Sequence, residues 1–153
     1  MNAIDLLKAD HEKVDELFKK VKATEDETAH KQLFVKIKEE LDTHAHIEET
    51  IFYPTIIKNE EIKDIVMEGL EEHKQAKTLL REISALSDSS SDKFEAKLKV
   101  LMEDVEHHVE EEEEEMFPLV EEAFDEEQLE ELGEQMEDEK QMFKKSYAAS
   151  ANG

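Results

Sequence analysis

The chain contains no cysteine and no tryptophan, only two prolines and three glycines, and 19 basic residues against 43 acidic ones. Without cysteine, neither a disulfide framework nor a thiolate metal site can form. Scarce glycine and proline argue against a sheet fold with many tight turns and favour long uninterrupted helices. No apolar run is long enough to span a bilayer, and the N-terminus lacks the pattern of a secretory signal, so a cytoplasmic location is expected. The formal net charge of −24 repels a phosphate backbone or an anionic membrane, and no basic patch offsets it. Neither nucleic acid nor membrane is therefore expected as a partner. Acidity alone also suits a solvated tail or loose cation binding and says little about mechanism.

The 153 residues suffice for one domain with a real core. Apolar residues make up 38% and charged residues 41%, a mix suited to a helical bundle with a narrow apolar seam and a wide charged exterior. Periodicity predicts helices over roughly 3–23, 28–58, 60–86 and 92–124, then a shorter one over 126–147 and a disordered tail at 148–153. The first seam runs Ile4, Leu7, His11, Val14, Phe18, Val21, alternating steps of three and four as in packed bundles. Polar breaks fall at TEDET and SDSSSD. Asp92 with Glu95, and Asp125 with Gln128, are spaced as capping boxes. Pro54 and Pro118 should kink or end their helices, because proline removes a backbone donor and clashes with the preceding turn. The expected architecture is all-α: an antiparallel up-down four-helix bundle over 1–124 with a C-terminal helix, 125–147, that either caps it or mediates a dimer.

Each of the four long helices carries a histidine where its seam demands a hydrophobe: His11, His44, His73 and His108. The second and fourth helices add a glutamate one turn later, Glu48 and Glu112, on the same face at i, i+4. The chain repeats itself here. His11 to His73 is 62 residues, while His44 to His108, Glu48 to Glu112 and Pro54 to Pro118 are each 64. The midpoint of His11 and His44 falls near Glu27–Thr28 and that of His73 and His108 near Ser90, both in polar breaks. Folding each pair as an antiparallel hairpin brings all six side chains to one level. Two buried carboxylates there need positive charge, and no lysine or arginine sits on the seams. One or two metal ions resolve this; imidazole and carboxylate suit Fe, Mn, Zn or Co better than Ca or Mg.

Other polar residues near this layer have plainer expectations. In HHVEEEEEEMFP, Glu112 points inward, Glu115 lies near the core, and the remaining glutamates mostly face water. His107 competes with His108, since His107 and Glu112 converge if the helix is distorted, but only His108 matches the His44–Glu48 spacing. Glu49, Glu113 and Glu115 are candidates to support the layer from outside. His46 is expected to face away or to support the site from its margin, and His30 to lie on the surface in a break. Tyr53 could donate a hydrogen bond at the site or simply pack.

The order His11, H-x-x-x-E at His44–Glu48, His73, H-x-x-x-E at His108–Glu112, with the endings EETIFYP and EEEMFP, resembles the hemerythrin-like HHE cation-binding family over residues 1–124. The resemblance implies a non-haem centre of two Fe ions with an oxo or hydroxo bridge, Zn or Mn being possible substitutes. Glu48 and Glu112 would bridge the metals, and His11, His44, His73 and His108 would complete the ligand set. Relatives of this pattern bind, sense or reduce O2, NO or peroxide, or serve iron homeostasis without catalysis. Classical members carry a fifth histidine where this chain has Lys77, in HKQAK, and use H-x-x-x-x-D on the fourth helix. Both departures argue against simple reversible dioxygen transport. A helical interaction protein with structural histidines is the remaining alternative.

Overall fold

The computed structural model describes residues 1–86 and 91–152. Five helices run in order: α1 (Ala3–Lys22), α2 (27–56), α3 (Glu60–Ser84), α4 (91–123) and α5 (Glu126–Asn152). Among the described residues there is no strand, and no helix is long and apolar enough to cross a membrane. Side chains fix several helix starts. Asn2 Oδ1 accepts from the Asp5 N–H at 2.8 Å, and Asn59 Oδ1 from the Glu61 N–H at 2.9 Å. The box at α5 forms reciprocally: Asp125 N–H donates to Gln128 at 2.9 Å and Gln128 N–H to Asp125 at 2.8 Å. The box expected at α4 does not form in that way. Asp92 already lies in the first turn of a helix that begins at Ser91, and Glu95 turns to His30. Much of the SDSSSD break, residues 87–90, lies outside the described residues.

The packing is that of an up-down bundle. α1 packs on α2 and α3 on α4, and the contacts of α1 with α4 and of α2 with α3 close the ring. α5 lies against α1 and α2 and so covers the bundle within the chain. It is the longest uninterrupted α-helix at 27 residues rather than a short extension, and it continues to Asn152 through residues expected to be a disordered tail. The apolar core comes in two parts. One gathers Leu7, Ile47, Phe52, Ile56, Phe117 and Met136; the other gathers Val14, Phe18, Ile37, Leu80, Leu98 and Leu101. The histidine–glutamate level separates them, between Leu7 and Val14 on α1.

Neither proline ends its helix. Instead α2 and α4 widen into π turns, Glu48–Phe52 and Glu112–Met116, just before Pro54 and Pro118. Tyr53 N–H donates to the Glu48 carbonyl and Phe117 N–H to that of Glu112. A π turn spaces its bonds at five residues, which absorbs the missing proline N–H and gives the ring room. It also shifts the seam by one position. Phe52, Tyr53, Met116 and Phe117 are buried, Ile51 is only partly so, and Glu115, expected near the core, is exposed.

His30 is buried rather than superficial. α2 begins three residues before it, and the ring closes over the end of α1: Nε2 lies 2.9 Å from the Val21 carbonyl and 2.7 Å from that of Thr24, while Nδ1 meets Glu95 at 2.7 Å. It thereby adds a side-chain partner to carbonyls at the end of α1, where intrahelical donors run out. Burial alone would lower its pKa, but Glu95 and the two carbonyls outweigh that and raise it above 6.5.

α5 is held close by Gly133. A Cβ there would sit 2.3 Å from the Met1 carbonyl oxygen and within 2.9 Å of the Asn2 and Ala3 backbone. Gly133→Ala should therefore destabilise by about 1–3 kcal/mol from overpacking, despite a helix-propensity gain of about 1 kcal/mol. Chemical denaturation reads this directly, and a variant as stable as wild type would show that α5 docks more loosely.

Candidate metal centre

The structure brings His11, His44, Glu48, His73, His108 and Glu112 into one layer. His11, His44, Glu48, His73 and Glu112 are buried, and His108 shows only 12% of its side chain. Ligand-capable atoms fall into two groups that share Glu112: Glu48, His73, His108 and Glu112 in one, His11, His44 and Glu112 in the other. Within each group these atoms lie within 4.8 Å of one another. Nε2 of His11 is 3.1 Å from Glu112 Oε1, and that of His108 is 3.2 Å from Oε2 of the same carboxylate. On Glu48 Oε1, His73 Nε2 approaches to 3.1 Å and His44 Nε2 to 3.4 Å. His107 stays outside, with its side chain 65% exposed and bonded to Glu111, so His108 is the one that reaches the layer.

Every histidine of the layer turns its other nitrogen to a carboxylate. His11 Nδ1 meets Glu113 at 2.6 Å, His44 meets Asp10 at 3.2 Å, His73 meets Glu49 at 2.8 Å, and His108 meets Glu72 at 2.6 Å. A carboxylate on Nδ1–H fixes the tautomer and ring orientation and leaves Nε2 to face inward, the arrangement common behind metal-bound imidazole. These four partners follow the internal repeat. The residue before the histidine on α1 or α3, Asp10 or Glu72, backs the histidine of α2 or α4. The residue after the inward glutamate, Glu49 or Glu113, backs the histidine of α1 or α3. Glu49 and Glu113 were legible as supporting candidates; Asp10 and Glu72 were missed, though each directly precedes a seam histidine. Lysines reinforce two of the four: Lys77 reaches Glu49 at 2.8 Å and Lys140 reaches Asp10 at 2.6 Å. Lys77, at the position of the classical fifth histidine, thus turns out of the layer. His46 faces α5, bonding Glu139 at 2.8 Å and stacking on Phe143.

Tyr53 is the remaining polar group of the layer. Its hydroxyl donates to Glu112 Oε2 at 2.5 Å and lies 3.3 Å from Glu48 Oε1, so one proton serves both carboxylates. Gly69 makes this possible, since a Cβ there would come within 3.1 Å of the phenol oxygen. The ring stacks on His73 as its repeat counterpart Phe117 stacks on His11. Burial and the two carboxylates push the phenol pKa well above 10. Tyr53→Phe should cost the metal-free protein about 1.5–3 kcal/mol, the range for a buried hydrogen bond to a charged group. Unchanged denaturation would mean that Glu112 finds another donor.

The electrostatics of the metal-free layer are those of ion pairs. Burial opposes charge on Glu112, but His108, His11 and His44 hold its carboxyl well below 4.5. Burial likewise opposes charge on the rings. The carboxylates prevail, raising His73, taking His44 well above 6.5 and His108 to about 11. Asp10 is held down to about 2 by His44 and Lys140 against its burial. Even so, three atoms remain buried without a hydrogen-bond partner: His44 Nε2, Glu48 Oε2 and His108 Nε2. Two of them lie near carboxylate oxygens but out of bonding geometry. Orphaned donor atoms of nitrogen and oxygen, converging from several helices, are what a metal ion would satisfy.

A closed ring of helices holding four imidazoles and two carboxylates at one level defines a bundle with a centre suited to cations. Residues 2–120 match the family model Hemerythrin HHE cation binding domain, and the chain belongs to that family. The crystal structure of a Hemerythrin HHE cation binding domain-containing protein from Mycobacterium kansasii superposes with a TM-score of 0.83 at 26% identity, over 99% of this chain and 93% of that one. A protein described as a DNA nickase, from Nostoc sp. (strain PCC 7120 / SAG 25.82 / UTEX 2576), is 28% identical over all 153 residues. This chain spans only 43% of that relative's length.

Proposed function

We propose that His11, His44, Glu48, His73, His108 and Glu112 would together hold two iron ions, and that the protein binds, senses or reduces a small oxidant such as O2, NO or peroxide. The observation that carries this is the pairing of orphaned ligand atoms with an adjoining cavity. His11, His44, His73 and His108 border a space of about 90 Å³ whose other walls include Val14, Leu41, Ala76, Leu80, Val105 and Val109. Apolar walls favour a small uncharged guest over an ion. At the position of the classical fifth histidine stands Lys77, which lines this cavity and bonds Glu49, so the chain offers no fifth imidazole there. When bound, iron would supply the electrons and the open coordination that such a guest requires.

The chain's own residues have separable tasks. The carboxylates on each Nδ1 orient the rings, Tyr53 holds a proton between Glu48 and Glu112, and the two apolar core halves exclude water above and below. The activity for which the Nostoc relative is named finds no support in a chain of net charge −24, which repels a phosphate backbone.

Anaerobic loading with Fe(II), then exposure to air, NO or peroxide, tests the reading. Near-UV charge-transfer bands are expected after oxidation. Two bound irons with no spectral response to any of the three would sink the oxidant role and leave a non-catalytic iron-handling module.

A further inference from the structure

α5 begins at Glu126, beyond the matched segment 2–120, yet it reaches the metal layer. Its inward stripe runs Leu129, Leu132, Met136 and then Lys140, a cation one turn after Met136 where the spacing calls for another hydrophobe. The Lys140 side chain is 12% exposed and the Asp10 side chain 4%. Lys140 Nζ bonds Asp10 Oδ1 at 2.6 Å, and the other oxygen, Oδ2, accepts from His44 Nδ1 at 3.2 Å. The repeat counterpart of Asp10 on α3 is Glu72, whose side chain is 22% exposed, while α5 packs chiefly on α1 and α2. A fifth helix therefore covers one quadrant of the layer, buries the carboxylate there and brings the charge that compensates it.

We propose that Lys140 is a positioning residue for the metal position formed by His11 and His44: it fixes Asp10, Asp10 fixes the His44 ring, and α5 thereby sets the affinity of that position. The inference rests on the metal reading above. A buried carboxylate deprived of its counter-charge is costly to keep in place. Once Asp10 leaves, the His44 ring loses the bond that aims Nε2 inward. The position formed by His73 and His108 is backed by Glu49 and Glu72, which bond His73, Lys77 and His108 rather than a residue of α5.

Zn(II) titration by calorimetry on the full chain separates the possibilities, with wild type, Lys140→Met, Lys140→Arg and Lys144→Met compared. Lys144 is the control, since its ion pair is with Glu40, at 3.5 Å, a carboxylate that backs none of the layer's histidines. Wild type should take up two equivalents. Lys140→Met should weaken one of them roughly 10–100-fold, the usual cost of disturbing a group behind a metal ligand, and the other far less. Lys140→Arg should restore binding and Lys144→Met should match wild type. Equal weakening of both equivalents, or none, overturns the inference while the metal reading stands. A wild-type chain that takes up no zinc overturns both. Should Lys140→Met fail to fold, hydrogen exchange on wild type decides. Zinc should slow exchange across residues 136–147, and unchanged exchange there overturns the proposal.

Discussion

Replacing Glu112 with alanine should abolish metal binding at both positions of the layer, because this one carboxylate belongs to both groups. Its Oε1 lies 3.1 Å from His11 Nε2 and 3.9 Å from His44 Nε2, and its Oε2 lies 3.2 Å from His108 Nε2. The metal-free protein should suffer as well. His44 and His108 are held charged chiefly by Glu48 and Glu112, so removing Glu112 strands buried positive charge. Breaking a buried pair from one side costs about 3–5 kcal/mol. Glu112→Gln keeps the shape and separates packing from charge; it should fold better than Glu112→Ala yet still fail to hold metal at wild-type affinity. Glu114→Ala, two residues along the same run and exposed, should bind metal and unfold like wild type. Metal analysis and denaturant titration of the three variants give the answer. Equal behaviour of Glu112→Ala and Glu114→Ala would refute the inward role of Glu112.

Proton linkage should be nearly as large. In the metal-free protein the folded pKa values of His44, His73 and His108 are raised above 6.5, the last to about 11. Their contribution is thus complete below pH 6.5 and is lost as pH rises through the raised values. Glu112 is held well below 4.5, and Glu49 and Asp10 are each near 2. The stability they confer is present above the ordinary carboxylate range and disappears as pH falls through the depressed values. The metal-free protein should accordingly be most stable between about pH 4.5 and 6.5, a window set by ordinary carboxylate and imidazole values. A metal ion needs the lone pair of Nε2, so its uptake at pH 7 must expel protons from these rings. Calorimetry in buffers of different ionisation enthalpy should show a proton released for each ring so displaced, with affinity falling as pH is lowered. Heats independent of buffer would contradict the ion-paired description of the layer.

Much of this was readable from spacing. A histidine interrupting each apolar seam, and the midpoints of paired histidines falling in polar breaks, place six side chains at one level. That worked because a helix in a bundle translates sequence distance into height and face with little freedom. The π turns were not readable. A proline states that one backbone donor is gone, but whether the helix kinks, stops or widens depends on what the next turn packs against. The one-residue shift that follows leaves Glu115 in solvent, while Met116 and Phe117 line the core as their apolar character predicts. Asp10 and Glu72 were missed for a related reason. Each sits one residue, about 100°, off its own seam and reads as solvent-facing; its partner is set by the neighbouring helix. His30 misled in the same way, since its ring answers carbonyls at the end of α1, outside the periodicity of its own helix. Lys140 lies on a fifth helix whose placement against α1 and α2 no spacing within the four long helices reveals.

The most direct test of the account is to count metal. Metal-free protein titrated anaerobically with Fe(II) should retain two ions per chain, released by chelator with a fall in melting temperature and lost in Glu112→Gln. A chain that keeps no iron, and melts at the same temperature with and without chelator, would contradict the claim that cations organise these buried imidazoles and carboxylates.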